Sequence, residues 1–134
     1  MKYMLDTNTC IFMLKHVPHV LSVFESKKND DVTISSIVLA ELEFGVYNSQ
    51  SYEKNRNALI AFLSVVAVHS FDGTSAAEYG RINTVLRGRG TPIGIMDMLI
   101  AAHAKSMRAT LVTNNTREFS RVDGLALEDW TTQS

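Results

Sequence analysis

The chain opens with Lys2-Tyr3-Met4-Leu5-Asp6-Thr7-Asn8, in which a short apolar run ends in a carboxylate, a hydroxyl and an amide. A short apolar run bounded by polar residues is typical of a strand buried on both faces, as in a parallel sheet. Parallel α/β folds place ligands in the crevice beyond the carboxyl ends of their strands. The pattern therefore predicts Asp6 at the floor of a cleft, and it also fits a cap for a helix at Ile11-Phe12-Met13-Leu14.

Apolar strands alternate with helices through the rest of the sequence. Strand composition recurs at residues 32–35, 65–68 and 110–113, and helices are predicted at 9–14, 20–27, 37–47, 55–63, 75–87 and from residue 97 onward. Ser36 is the predicted cap of the third helix, and Ser75 with Glu78 forms a predicted capping box. This alternation favours an α/β fold, a three-layer α/β/α sandwich around a central parallel sheet.

Length and composition indicate one globular domain over residues 1–134. The hydrophobic fraction is 46% and the charged fraction 20%, values that are typical of a soluble protein. No apolar run approaches the roughly 18 residues that a membrane-spanning helix needs, and no signal peptide is recognisable. Cys10 is the one cysteine, which excludes an internal disulfide and a zinc site built on paired cysteines. These features lead us to expect a cytoplasmic protein that does not contact a membrane.

The charge is unevenly distributed along the chain. Its net value of -1 argues against a strongly basic nucleic-acid-binding protein. Residues 1–80 carry 6 Lys and Arg against 9 Asp and Glu, whereas residues 81–134 carry 7 against 5. The second part is therefore mildly basic, a distribution that usually reflects a solvated face.

A nearly all-apolar helix is predicted to follow Asp97. A helix that is apolar all round is buried. Asp97 lies near its N-terminus, where unpaired amides and the helix dipole favour an ionised carboxylate. His103 lies in the apolar part of the same helix, and we interpret it as a hydrogen-bonded core residue, not as a catalyst.

Several polar side chains follow apolar elements and are candidates for one shared site. Asp6 and Asn115 follow predicted strands, and Asp97 begins a helix. Glu41 and Glu43 lie inside an apolar helix, where a spacing of two projects them to nearly opposite sides, so periodicity does not choose between them. At about 5 Å, two carboxylates repel by about 3 kcal/mol at an effective dielectric of about 20. Such a cluster suits Mg²⁺ or Mn²⁺, which prefer oxygen ligands.

An ordered set of short motifs runs almost from end to end of the chain. In this set the chain resembles the PIN-domain ribonucleases, and specifically the VapC-type toxins of bacterial toxin–antitoxin pairs. The motifs are Met4-Leu5-Asp6-Thr7-Asn8, Ser35-Ser36, Ala40-Glu41-Leu42, Gly45, Pro92-Ile93-Gly94 with Asp97, Ile100-Ala101-Ala102-His103-Ala104, Val112-Thr113-Asn114-Asn115, Glu118-Phe119, Val122, Gly124-Leu125 and Asp129-Trp130.

The resemblance assigns site residues. It selects Glu41 over Glu43, and it implies that Asp6, Glu41 and Asp97 form an acidic core around Mg²⁺, with Mn²⁺ as a substitute. Asn115 occupies a fourth position that is often Asp in the family, which leaves open whether one or two metals bind. Glu118 and Asp129 are candidates for the missing charge, and the sequence does not place either of them.

The resemblance also implies a function. The expected protein is the toxin of a VapBC pair, a metal-dependent endoribonuclease that cuts RNA, with initiator tRNA in its anticodon loop as the candidate substrate. Expected partners are a VapB-type antitoxin covering the acidic cleft and a second copy packed through apolar helices. The competing interpretations are a haloacid-dehalogenase-like phosphatase, a receiver-like domain and a non-catalytic PIN-like module. Asn8 stands where such a phosphatase has an acid, and a receiver needs adjacent acids after its first strand.

Overall fold

Within the described part of the chain, five parallel strands form the central sheet, and helices flank it. The computed structural model describes residues 1–132. In chain order the elements are β1 (Lys2–Leu5), α1 (Thr7–Leu14), α2 (Pro18–Ser26), β2 (Asp31–Ser35), α3 (Ser36–Tyr47), α4 (Tyr52–Leu63), β3 (Ala67–His69), α5 (Gly73–Gly88), α6 (Ile95–Ser106), β4 (Thr110–Val112), α7 (Thr116–Phe119) and β5 (Leu127–Glu128). The predicted α/β sandwich around a parallel sheet is confirmed.

The strand order creates a crevice beside β1. The strands lie in the order β3-β2-β1-β4-β5, so the chain moves to one side of β1 first and to the other side afterwards. Met4 of β1 is in register with Thr33 of β2 and with Leu111 of β4. A reversal of this kind is a topological switch point, where open α/β sheets bind ligands outside the carboxyl ends of their strands. Asp6 lies at this point, and its backbone N–H donates to the carbonyl of Val112 at 3.0 Å.

The core explains why the central strand is so apolar. Tyr3, Met4 and Leu5 are at most 2% exposed, because helices cover both faces of β1. Trp130 closes the core near the end of the chain and packs edge-on against Tyr3, with ring centroids 5.7 Å apart. Burial of this apolar surface fixes the position of β1, and with it the position of Asp6.

Helices α5 and α6 form an antiparallel pair. The hydroxyls of Ser75, early in α5, and Ser106, at the end of α6, lie 2.9 Å apart. The far end of α5 therefore lies near the start of α6, and the short segment 89–94 connects them. Gly90 in this segment has a φ of 70°, a left-handed conformation that glycine adopts without strain.

Two predicted helix caps and one predicted strand are wrong, each for a local reason. Ser35, not Ser36, caps α3, because its hydroxyl accepts a hydrogen bond from the N–H of Ile37 at 3.0 Å. Asp72, not Ser75, caps α5, since its carboxylate accepts from the N–H of Ser75 at 3.0 Å. The third strand is Ala67–His69 and not 65–68, because pairing with β2 sets its register.

The capping box predicted at Glu78 is also absent. Its carboxylate instead binds Arg81, one turn further along α5. Within residues 1–132, no helix has both the length and the apolar character needed to cross a membrane. The single domain over 1–134 stays a prediction, and its last two residues lie outside the described part of the chain.

Candidate active site

Asp6 is both a helix cap and the floor of the crevice. Its Oδ1 accepts a hydrogen bond from the N–H of Thr9 at 2.8 Å and so caps α1, while the residue remains only 5% exposed. Burial raises the pKa of Asp6, and hydrogen bonds from Thr113 and Thr9 oppose that rise. The two interpretations of this residue from the sequence are therefore compatible.

Glu41 faces the crevice and Glu43 faces away from it. Glu41 Oε1 accepts a hydrogen bond from the hydroxyl of Thr7 at 2.6 Å, beside Asp6. Glu43 binds the guanidinium of Arg56 with both carboxylate oxygens, at 2.7 and 3.1 Å, and joins α3 to α4. Glu41 and Glu43 thus project to opposite sides of α3, as a spacing of two predicts. The helical period did not show which of them faces the crevice, and in the structure it is Glu41.

Asp97 lies close enough to the other acidic side chains for their charges to raise its pKa. It lies in the first turn of α6, and its pKa is raised to about 6. Burial is the largest cause, followed by repulsion from Glu118, Asp6 and Glu41. The helix N-terminus alone would favour an ionised carboxylate, so desolvation and neighbouring charge outweigh it here.

Asn115 joins this group through Glu118. The Asn115 side-chain amide donates to Glu118 Oε2, and Glu118 Oε1 accepts from the N–H of Gly94 at 3.3 Å. The acid that the sequence did not place is therefore at Glu118, beside Asp97. Asp129 raises the pKa of Asp6 only as the smallest of its causes, and its Oδ1 accepts from the N–H of Thr131 at 2.8 Å.

His103 has no place among the acids. Its Nδ1 lies 2.7 Å from the hydroxyl of Ser35, and the ring of Phe71 packs edge-on against it at 5.6 Å. Burial lowers its pKa, so the neutral imidazole is favoured. The interpretation as a hydrogen-bonded core residue agrees with these contacts.

Three threonines that hold the carboxylates were not predicted from the sequence. Thr7, Thr9 and Thr113 each hydrogen-bond to Asp6 or Glu41. A signal for two of them was present, since Asp-Thr-Asn-Thr reads as a helix cap followed by its first turn. Thr113 carries no such signal, because only the pairing of β1 with β4 brings it to Asp6.

The acids face one another without forming a closed metal cage. Within residues 1–132, no group of three or more His, Cys, Asp or Glu side chains is arranged to hold a metal ion. Asp6 Oδ1 and Glu41 Oε1 each accept a hydrogen bond from a threonine, at 2.8 and 2.6 Å. All the available donors are carboxylate or amide oxygens, the ligands that Mg²⁺ and Mn²⁺ prefer.

The fold is a parallel sheet with an acidic crevice at its switch point. One acid of the crevice follows a strand, and the others lie on helices, which is the arrangement of a class of α/β domains. Residues 3–125 match the PIN domain family. The chain belongs to this family, in the branch of the VapC ribonucleases of toxin–antitoxin systems. PIN-domain nucleases depend on divalent metals. Family membership overturns the phosphatase and receiver-like interpretations.

Similar proteins support this placement over nearly the whole chain. Ribonuclease VapC2 of Rickettsia felis is 45% identical, with 97% of this chain and 98% of that protein covered. The tRNA(fMet)-specific endonuclease VapC of Shigella flexneri is 42% identical, with 97% and 98% covered. The crystal structure of VapBC2 from Rickettsia felis bound to a promoter DNA fragment contains a chain that superposes with a TM-score of 0.93, at 44% identity and with 97% and 99% covered.

Proposed function

We propose that the chain is the toxin of a VapBC pair, a Mg²⁺-dependent endoribonuclease that hydrolyses RNA phosphodiester bonds. The observation that carries the proposal is the placement of Asp97 beside Glu118, Asp6 and Glu41 at the switch point of the sheet. Burial and these three carboxylates raise the pKa of Asp97 to about 6. Carboxylates forced together in this way suit a divalent cation, whose charge removes their repulsion. We further propose that residues 1–134 act as a single PIN domain in the cytoplasm.

Asp6, Glu41 and Asp97 would hold the metal, with Mn²⁺ as a substitute for Mg²⁺. When bound, such an ion would supply positive charge that polarises a phosphoryl oxygen and lowers the pKa of water. Glu118 adds a fourth acid where Asn115 supplies none, so the charge for a second ion is available. The hydrogen bond from Thr7, at 2.6 Å, orients Glu41 to accept a proton from the attacking water. Asn115 keeps the Glu118 carboxylate turned into the site.

The proposed substrate is initiator tRNA, cut in its anticodon loop. The proposal rests on the similar VapC of Shigella flexneri, which is named a tRNA(fMet)-specific endonuclease. Mapping RNA 5′ ends in cells after brief induction tests it, with the Asp6→Asn variant as the control. New ends confined to the anticodon loop of initiator tRNA support the proposal, and new ends spread over messenger RNA contradict the substrate but not the ribonuclease activity.

The proposed partner is a VapB-type antitoxin, because a similar chain is found in a VapBC complex on promoter DNA. An acidic crevice is a natural binding site for an Arg or Lys from an extended inhibitor segment. We propose that such a segment covers Asp6 and Asp97, and that two copies of the chain pack through apolar helices. Expression without a growth defect, beside robust metal-dependent RNase activity in vitro, would contradict the toxin role.

The central experiment compares two reactions of the purified chain. Cleavage of RNA that requires Mg²⁺ and stops in EDTA is expected, with no release of phosphate from a generic phosphomonoester. Asp6→Asn, prepared in parallel, controls for a contaminating nuclease. In a preparation free of contaminating nuclease, cleavage by this variant at the wild-type rate would remove the basis of the metal-site assignment.

A further inference from the structure

A cluster of basic side chains lies where α5 and α6 meet the segment that follows α7, in the part of the chain that is mildly basic. We call it the basic cluster. It lines a cavity of about 110 Å³ with an apolar floor and a single acid. The basic residues are Arg81, Arg89, Lys105 and Arg121, and the acid is Asp123. Glu78, outside the cavity lining, pairs with Arg81 and lies 3.9 Å from Lys105, so Arg89 and Arg121 are the cations that Glu78 leaves unpaired.

The basic cluster lies directly beside the acidic crevice. Arg121 Nη1 donates to the carbonyl of Pro92 at 3.1 Å. Two residues further on, the N–H of Gly94 donates to Glu118 Oε1 at 3.3 Å. The segment 92–94 therefore contacts the basic cluster at one end and the acids around Asp97 at the other. A linear polymer that occupies the crevice and extends past segment 92–94 therefore reaches the basic cluster.

The arginines of the cluster are accessible, whereas Lys105 is structural. The side chain of Arg89 is 52% exposed, and it pairs at 2.6 Å with Asp123, which is 68% exposed. Arg121 forms no salt bridge to any residue within 1–132, and its guanidinium donates to the carbonyl of Pro92 instead. Lys105 is 23% exposed, and its Nζ donates to the backbone carbonyl of Asp123. Exposed ion pairs contribute little to stability, so an anionic ligand can replace Asp123 at Arg89 at small cost.

We infer that Arg89 and Arg121 bind backbone phosphates of the RNA substrate on one side of the scissile bond. The inference rests on the proposed function. A chain with a net charge of -1 and an acidic crevice repels a polyanion, so its attraction for RNA must come from a local group of cations. Guanidinium groups suit this role because they bind phosphate through two parallel hydrogen bonds.

Binding measurements on a non-cleaving protein test the inference. Arg89→Gln and Arg121→Gln are made in the full-length Asp6→Asn background, and a fluorescein-labelled stem–loop RNA of the initiator tRNA anticodon arm is titrated in Mg²⁺. Each change is expected to weaken binding about threefold to tenfold. It should also reduce the magnitude of the negative slope of log affinity against log salt by roughly 0.7–0.9. Arg108→Gln is the matched control, because it also removes one exposed cation. Arg108 precedes the first residue of β4, at the amino ends of the strands, whereas Asp6 lies at their carboxyl ends.

Asp123→Asn separates RNA binding from a structural role of the cluster. It removes the carboxylate that competes for Arg89, so RNA binding is expected to tighten about twofold to fivefold. If the cluster only holds α5 and α6 together, the same change weakens the fold and leaves RNA affinity unchanged or lower. Thermal melts of every variant show whether folding accounts for a difference in binding.

The outcomes distinguish this inference from the function on which it rests. If wild-type protein cleaves RNA with Mg²⁺ while the arginine variants bind the stem–loop with wild-type affinity and salt slope, the docking inference is overturned and the ribonuclease stands. If the variants instead lose affinity only for the antitoxin, the cluster is a protein interface and the inference is again overturned. If wild-type protein cleaves no RNA, the proposed function fails.

Discussion

Thr7 donates a 2.6 Å hydrogen bond to Glu41 and so links the first turn of α1 to α3 across the crevice. Thr7 follows Asp6 directly in the sequence, and the contact fixes two of the candidate metal ligands relative to each other. A hydrogen bond to a charged group contributes about 1.5–3 kcal/mol. The orientation of Glu41 therefore depends on a residue that is not itself one of the acids.

Replacing Thr7 tests this dependence. Thr7→Val removes the donor at nearly constant volume, so kcat/KM for RNA cleavage is expected to fall roughly tenfold or more. Thr7→Ser keeps the hydroxyl and is expected to retain most of the activity. Equal activity of the Val and Ser variants would show that Glu41 needs no support from Thr7.

The pair Glu41 and Glu43 offers a matched comparison. Glu41→Gln removes a carboxylate from the crevice, and cleavage is expected to fall by at least a hundredfold. Glu43→Gln makes the same chemical change on the other side of α3, where it weakens the ion pair with Arg56. Its expected cost is about 0.5–1 kcal/mol of stability, with cleavage unchanged. Single-turnover rates and thermal melts of both variants give the comparison, and loss of cleavage in Glu43→Gln alone would reverse the assignment.

Asp6→Asn separates the two roles of Asp6. Asparagine caps a helix as well as aspartate does, so the fold is expected to persist while RNA cleavage is abolished. Asp6→Ala removes both the charge and the cap, and we expect it to lose an additional 0.5–2 kcal/mol or so of stability. Circular dichroism, melting temperature and RNA cleavage are measured on both proteins. If the Asp6→Asn protein is folded and still cleaves RNA, Asp6 serves only as a helix cap.

The sequence predicts β1 well because the strand is buried on both faces, which leaves a clear apolar run ending at Asp6. It does not predict β5, which has two residues and is too short to show a pattern. It does not choose between Glu41 and Glu43, since the helical period gives opposite sides but not which side meets the crevice. Glu118 is harder still, because α7 is one turn long and carries no periodicity. Its position beside Asp97 depends on tertiary contacts through Asn115 and Gly94.

Asp97→Asn tests whether the acids repel one another. The pKa of Asp97 is about 6 in the folded protein and 3.8 for an unperturbed Asp, so the folded state binds this proton more tightly than the unfolded state. In EDTA, wild-type stability should therefore fall as the pH rises from about 4 to about 6. The difference between these two pKa values corresponds to about 3 kcal/mol in the free energy of unfolding. Solvent screening of the half-buried carboxyl reduces the expected loss of stability to about 1–2 kcal/mol.

The variant lacks this titration, so at pH 7 in EDTA it is expected to be more stable than wild type by about 1–2 kcal/mol, and the two should converge near pH 4. Millimolar Mg²⁺ should stabilise wild type more than the variant, because ligand stabilisation follows affinity for the folded state. A simple dipole-stabilised carboxylate predicts the opposite, a loss of up to about 1 kcal/mol with no metal dependence. Thermal melts from pH 4 to 7, in EDTA and in Mg²⁺, decide between them. If Asp97→Asn is less stable in EDTA and responds to Mg²⁺ as wild type does, the facing carboxylates are not a metal site at this residue.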